Sequence, residues 1–294
     1  IVHLTNSMFV GFARTLKSEL GVPVVCSLQG EDLFLGQLRE PWKTRSLEAL
    51  RERARDVDAF LSHSEWYAGE MAELMAVERS RVHVVPLGIS LADFDGPVEK
   101  HSADVPVTVG YLARVCPEKG LHLLVEAVRI LEADPAYKGR IRLRAAGWMG
   151  ARDRDYFEKL SGDVEYVGEV DREGKSRFLR SLDILSVPTT YKEPKGLFVL
   201  EALAHGVPVV QPRHGAFPEV LAATGGGLLV EPGSAEDLAR GLARLIDDPG
   251  LRAELGRAGR DAVHHRFTAA VEAENVFAVY RQLVDGRLHE RVSA

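Results

Sequence analysis

Residues 182–211 read LDILSVPTTYKEPKGLFVLEALAHGVPVVQ, and this stretch decides the fold. Leu182 to Pro188 is apolar almost throughout, and so is Val207 to Gln211. Between them Gly196 opens a run with apolar residues at helical spacing, which Gly206 closes. A strand, a helix and a strand in so short a span make a βαβ unit. Strands that are continuously apolar, rather than alternating, fit a parallel sheet covered on both faces.

The same rhythm continues in both directions. Towards the carboxyl end, Phe217 to Ala222 reads as a short helix and Gly227 to Val230 as a strand. Ser234 is placed to cap a helix over Ala235 to Ile246, with Asp237 positioned to reciprocate as a capping box. Helices over Pro249 to His264 and Thr268 to Leu283 follow. Towards the amino end the order is strand Val107 to Leu112, helix Pro117 to Leu131, strand Ile141 to Gly147, helix Arg152 to Ser161, strand Val164 to Gly168 and helix Glu173 to Ser181. Pro117 sits in a first turn, where a missing amide costs nothing. The polar segment Ile89 to Val105, with Pro97, Lys100 and His101, reads as a linker. Before it stand strands at Ile1 to Leu4, Val22 to Leu28, Ala59 to Ser64 and Val82 to Gly88. Helices at Asn6 to Leu20, Lys43 to Asp56 and Glu65 to Val77 alternate with them, and Glu31 to Pro41 is expected to be a connecting loop. The expectation is an α/β protein of two Rossmann-like domains facing across a cleft. The domains are placed at 1–95 and 104–270, with 271–294 a terminal helix returning towards the first.

Composition narrows the partners. The 294 residues are 46% hydrophobic and 27% charged, with a formal net charge of -6. That balance is ordinary for a soluble domain. Nothing in it suggests a nucleic-acid partner, which needs a basic face against phosphates. Cys26 and Cys116 lie in or beside apolar runs and read as buried thiols in a reducing compartment. No apolar stretch reaches membrane-spanning length. The chain opens on Ile1 directly into an apolar run, so its amino terminus is expected to be cut.

In open parallel sheets ligands bind beyond the carboxyl ends of the strands. The loop after Leu112 reads ARVCPEKG, with Arg114 and Lys119 flanking a helix start. Cations beside a helix amino terminus suit a pyrophosphate; the plain alternative is surface charge with Glu118 as partner. In the quoted stretch, Gly196 opens a helix and so exposes amides to an anion, with Glu193 before it and Glu201 inside it. Periodicity alone reads both glutamates as solvated faces. The loop PRHGAFPEV carries Gly215, which permits a tight turn or close approach of a ligand. Gly225 to Gly227 reads as a flexible turn. Glu31 and Asp32 are adjacent carboxylates without the companions a metal site needs. His264 and His265 read as solvent-facing, and His63 ends a strand at the expected cleft edge.

Together, GYLARVCPEKGLHLLVEAV, VEYVGEV, SVPTTYKEPKGLFVLEALAHGVPVV, GAFPEV and GLLVEPG resemble the family 4 retaining glycosyltransferases. That family carries two glutamates separated by seven residues, here Glu193 and Glu201. The resemblance covers essentially the whole chain and is strongest from Val107 to Pro232. It implies the GT-B fold with an incomplete first domain, and a hexosyltransferase acting from a UDP-, GDP- or ADP-sugar on a carbohydrate or lipid-linked acceptor, as in cell-surface polysaccharide synthesis. It implies no metal and no other cofactor. Arg114 and Lys119 would hold the diphosphate, Glu193 the donor-sugar hydroxyls and Glu201 the ribose. Gly196 and Leu197 would offer amides to phosphate, the backbone near Val170 would meet the base, and Gly215 and Phe217 would lie over the donor. A cytoplasmic location, with or without a peripheral contact to the inner face of the membrane, accords with it.

Two departures qualify the likeness. The family opens with a strand and a glycine-rich loop, and the segment carrying them is expected to be missing ahead of Ile1. Many members carry a histidine where this sequence has Gln29, which can orient by hydrogen bonds but takes no proton near neutrality. With His63, Gln29 is a candidate for orienting a sugar. A non-catalytic nucleotide-sugar-binding module and a related sugar-nucleotide epimerase remain as alternatives.

Overall fold

A computed structural model describes residues 1–92 and 106–292. The expected boundary at 95–104 and most of the linker lie outside the described residues. The chain divides into two compact units, Ile1–Gly88 with Ala269–Ala294, and Ile89–Thr268.

In the first unit the strands are β1 (Val2–Leu4), β2 (Val24–Ser27), β3 (Ala59–Ser62) and β4 (Val82–Val84), and the helices are α1 (Ala13–Leu20), α2 (Glu31–Gln37), α3 (Trp42–Ala54) and α4 (Glu65–Met75). The four strands form one parallel sheet in the order β1-β2-β3-β4. Val24, Val25 and Cys26 are fully buried, which explains the unbroken apolar reading of β2. Val24, Cys26 and Phe60 pack on one face with Tyr67 and Met71 of α4 and Leu50 and Ala54 of α3. Each large apolar side chain buried this way contributes about 1.5–3 kcal/mol.

The second unit continues with β5 (Val107–Leu112), α5 (Leu121–Glu132), β6 (Ile141–Ala146), α6 (Arg154–Glu158), β7 (Glu165–Gly168), α7 (Arg172–Arg180), β8 (Ile184–Leu185), α8 (Leu197–Ala204), β9 (Val209–Pro212), α9 (Phe217–Thr224), β10 (Gly227–Val230), α10 (Ala235–Asp247) and α11 (Pro249–Arg266). Its six strands are parallel in the order β10-β9-β8-β5-β6-β7. The order reverses between β8 and β5, so the chain winds outwards in both directions from the middle of the sheet. The starts of α7, α10 and α11 are fixed by short polar side-chain caps. The Asp171 side chain accepts from Gly174 N at 2.7 Å, and that of Asp248 from Leu251 N at 2.8 Å.

The last helix, α12 (Ala269–Val292), belongs to the first unit. Its Val279 closes a small cluster with Val25, Leu61 and Val85. The units exchange chain at two points, where Ile89 N donates to Phe267 O at 2.9 Å beside a parallel bridge from Ile89 to Thr268. Among the described residues no helix is long and apolar enough to cross a membrane.

Four local expectations need correction. Residues 31–37 are helical, where a loop was expected. Gly30, at φ 101, turns the chain, and the buried Glu31 carboxylate accepts from Ser7 N at 2.7 Å and Gln29 N at 2.6 Å. The helix expected from Asn6 is a 3-10 turn over Ser7–Phe12 followed by α1, with the Asn6 side chain accepting from Met8 N. Ser234 does cap α10, but the Asp237 carboxylate accepts from Glu231 N at 2.6 Å instead of returning to Ser234. His264 is half-buried, with Nε2 3.1 Å from Ala204 O, rather than facing solvent.

Replacing Glu31 by alanine leaves two backbone amides without their acceptor. Urea denaturation is expected to show a loss of about 2–3 kcal/mol, whereas replacing the exposed Glu40 should change stability by less than about 0.5 kcal/mol.

Candidate active site

All six strands of the second unit run the same way, so the loops after β5, β6, β7, β8 and β9 share one edge. The loop after β5 is fixed by its own backbone. Tyr111 OH donates to Arg114 O at 2.7 Å, and Lys119 N donates to Cys116 O at 3.2 Å. It is stitched to the loop after β8, where Thr190 N donates to Glu118 O at 2.9 Å.

These contacts deliver Lys119 to Glu193. Lys119 Nζ lies 2.8 Å from Glu193 Oε2, and the two side chains are only 13% and 9% exposed. Tyr191 OH donates to the same oxygen at 2.6 Å. The ammonium also sits over the rings of Tyr191 and Phe198, 5.0 and 5.5 Å from their centroids. Burial pushes the Glu193 carboxyl up. Lys119, the Tyr191 hydroxyl and the Gly196 amide together outweigh burial and hold it below the ordinary glutamate value.

The loop after β9 backs this arrangement. Ala216 N donates to Glu193 O at 2.8 Å. Gly215 adopts φ 59, and a Cβ there would stand 2.5 Å from Glu193 O and 2.6 Å from Glu193 N. Only glycine permits that approach. His214 Nε2 lies 3.0 Å from Thr189 O, while its Nδ1 is buried with no hydrogen-bond partner among the described residues. Phe217 is fully buried and lies under Gly196, its ring 5.9 Å from that of Phe198.

Glu201 stands one turn further along α8, 8% exposed and ion-paired with Lys175 of α7. Burial keeps its carboxyl above the ordinary value, with Lys175 opposing. Neither glutamate is therefore the solvated side chain that periodicity gives. Lys119 pairs with Glu193 rather than Glu118. Arg114 is exposed, and no hydrogen bond or ion pair to its guanidinium is seen among the described residues. Leu197 is 42% exposed at the first position of α8, and Val170 is half-buried just past β7.

Gln29 and His63 belong to the first unit. Gln29 is exposed at the end of β2, and the His63 Nδ1 lies 3.1 Å from Val85 O. Sequence reasoning missed Tyr191 and Lys175. Tyr191 carried a signal, two residues before Glu193 in the quoted stretch. Lys175 carried none, since α7 is charged along its whole length. Among the described residues no group of three or more His, Cys, Asp or Glu side chains is arranged to hold a metal ion.

Comparison with known proteins meets this geometry. A family model described as "Glycosyl transferases group 1" matches residues 98–262, and one described as "Glycosyl transferase 4-like domain" matches residues 1–88. The chain belongs to the group 1 glycosyl transferases. It is 28% identical over 242 residues to the D-inositol 3-phosphate glycosyltransferase of Kribbella flavida, covering 76% of this chain and 56% of that one. A second D-inositol 3-phosphate glycosyltransferase, from Segniliparus rotundus, is 26% identical over 92% of this chain and 63% of its own. The chain thus spans 56% and 63% of the length of these curated relatives. Among solved structures, sucrose-phosphate synthase from Thermosynechococcus elongatus superposes with a TM-score of 0.78 at 23% identity, over 97% of this chain and 73% of that one. Anabaena HepE in complex with UDP gives 0.80 at 18% identity, over 96% and 78%. These likenesses establish the fold, two Rossmann-like domains of the GT-B kind.

The two glutamates should respond to pH with opposite signs. Glu193 has a lowered pKa, so its contribution to stability is full above the ordinary glutamate value and is lost as pH falls through the folded one. Glu201 has a raised pKa, so its contribution is full in acid and is lost as pH rises through the folded value. At neutral pH, Glu193→Gln should lower the melting temperature and Glu201→Gln should raise or preserve it; the Glu201 difference should shrink as pH falls towards the ordinary glutamate value, and the Glu193 difference only as pH falls below it. Lys119→Ala leaves a buried carboxylate unpaired and should cost about 3 kcal/mol, as read by denaturant unfolding.

Proposed function

We propose that the chain carries the donor site of a retaining glycosyltransferase that moves a sugar from a nucleoside-diphosphate sugar to a hydroxyl acceptor. The observation that carries this reading is the Lys119–Glu193 pair, held beside the start of α8 by Tyr191 and by the loop containing Gly215. Breaking a glycosyl–phosphate bond builds negative charge on the departing diphosphate. Fixed cations and amides stabilise that charge without having to reorganise. Lys119 and Arg114, with the amides of Gly196 and Leu197, are assigned to the diphosphate.

Glu193, kept ionised by its partners, accepts hydrogen bonds from hydroxyls of the donor sugar. Glu201 accepts from the ribose, and the backbone near Val170 meets the base. The loop of Gly215 and Phe217 lies over the donor. Cations and amides supply the charge stabilisation in this scheme, so the reading includes no metal and no other cofactor. The acceptor hydroxyl attacks from the face the diphosphate leaves, which retains configuration. Gln29 and His63 are proposed to orient the sugar or the acceptor, a carbohydrate or a lipid-linked one. The HepE structures in complex with UDP and with UDP-glucose support a sugar nucleotide as donor and make UDP the first nucleotide to try.

Calorimetric titration with UDP, GDP and ADP tests the reading. One nucleotide should bind, and Lys119→Ala and Glu201→Ala should each weaken it by about tenfold or more, as loss of a charge-assisted contact implies. Absence of binding to the folded native chain overturns the assignment. Binding without any release of nucleotide from its sugar conjugate, with acceptors supplied, would favour a binding module over an enzyme.

A further inference from the structure

Trp148 is the one exposed Phe, Trp or Tyr among the described residues of the second unit, 49% accessible immediately past β6. Phe198 and Phe217 at the same sheet edge are buried, and Tyr191 is half-buried. We infer that the Trp148 indole is the platform on which the nucleobase of the donor stacks, an inference that rests on the donor-site reading above.

Strand order places the ring. β6 lies between β5, whose loop carries Arg114 and Lys119, and β7, whose end carries Val170. A nucleoside diphosphate with its phosphates at the first loop and its base near the last must cross the tip of β6. There the backbone is pinned on both sides. Val115 N, next to Arg114, donates to Trp148 O at 2.9 Å. Gly147 N donates to Gly168 O at 2.9 Å, and Tyr166 OH donates to Gly147 O at 2.7 Å. Gly147 itself has φ 141, and a Cβ there would lie 1.9 Å from Ala113 O, so the strand tip sits hard against the Arg114 loop.

The ring is supported as well as exposed. A Cβ built on Gly150 falls 3.1 Å from Trp148 Cη2, 3.5 Å from Cζ3 and 3.0 Å from Asp153 Oδ2, so the outer rim of the indole lies against Gly150. A flat, backed, water-exposed indole suits a heterocyclic base, because every base presents a π-face and stacking tolerates its identity. Selection among bases then falls to hydrogen bonding at the end of β7.

The chain has three tryptophans, and the other two, Trp42 and Trp66, lie in the first unit. A Trp42→Phe, Trp66→Phe variant therefore reports on Trp148 alone. Saturating nucleoside diphosphate (UDP, GDP or ADP, whichever calorimetry shows to bind) should quench and shift its emission, and inorganic pyrophosphate should not. Trp148→Ala should weaken that nucleotide by about tenfold while leaving pyrophosphate affinity unchanged, and Trp148→Phe should restore most of the loss. Equal nucleotide affinity in native and Trp148→Ala proteins, or unchanged emission at saturation, overturns the platform and leaves the donor site standing. Equal loss of pyrophosphate and nucleotide binding in Trp148→Ala also overturns it, since the ring would then be supporting the loop. If no nucleoside diphosphate binds the native chain, the donor reading falls and the platform with it.

Discussion

The second unit is organised around one desolvated charge pair. Taking a carboxylate and an ammonium out of water costs several kcal/mol each, and good geometry together with further hydrogen bonds must offset that. Lys119 and Glu193 meet both conditions through Tyr191, the aromatic rings under the ammonium and the backbone around Gly196. The pair joins loops from β5 and β8, neighbouring strands at the point where the sheet reverses its winding. Neither side chain can relax into solvent without exposing its partner to an unfavourable state. The pair thus adds an electrostatic tie to the backbone hydrogen bond from Thr190 N to Glu118 O that already joins these loops.

The contrast with Glu201 shows how finely such balances depend on the partner. Both glutamates are buried to a similar degree and both meet a lysine. Lys175 is 32% exposed and stands alone against burial, whereas Lys119 is 13% exposed and is helped by a hydroxyl and an amide. Water screens the first attraction more than the second. One carboxyl is held in its charged form and the other is biased towards its neutral form, although both lie within the same stretch of sequence.

Much of this was legible in the sequence because the signals were of the kind a linear pattern carries. The buried parallel strands announced themselves as unbroken apolar runs, and β5 and β10 fall on the residues expected for them. Arg114 and Lys119 were singled out by residue type and loop position, and Glu193 and Glu201 by the family resemblance. Their burial was not, because periodicity describes a helix face and Glu193 precedes its helix. Helix α2 was missed because its start depends on a glycine at positive φ and on a carboxylate that caps amides from another segment. Both are tertiary facts. Lys175 was missed for the same reason, since its importance comes from what stands opposite it. Trp148 was read past because one aromatic residue after a strand has no period at all.

The return of α12 to the first unit has a consequence for how the chain comes into being. Residues 1–88 leave the ribosome with the face carrying Val25, Leu61 and Val85 still open, and the side chain that covers it, Val279, arrives only after the whole second unit has been made. The second unit, continuous from 89 to 268, depends on no such delay. The order of synthesis and the order of completion are therefore inverted: of the two units, the one begun earlier is the later to be finished. Until then its apolar face is what a chaperone would recognise.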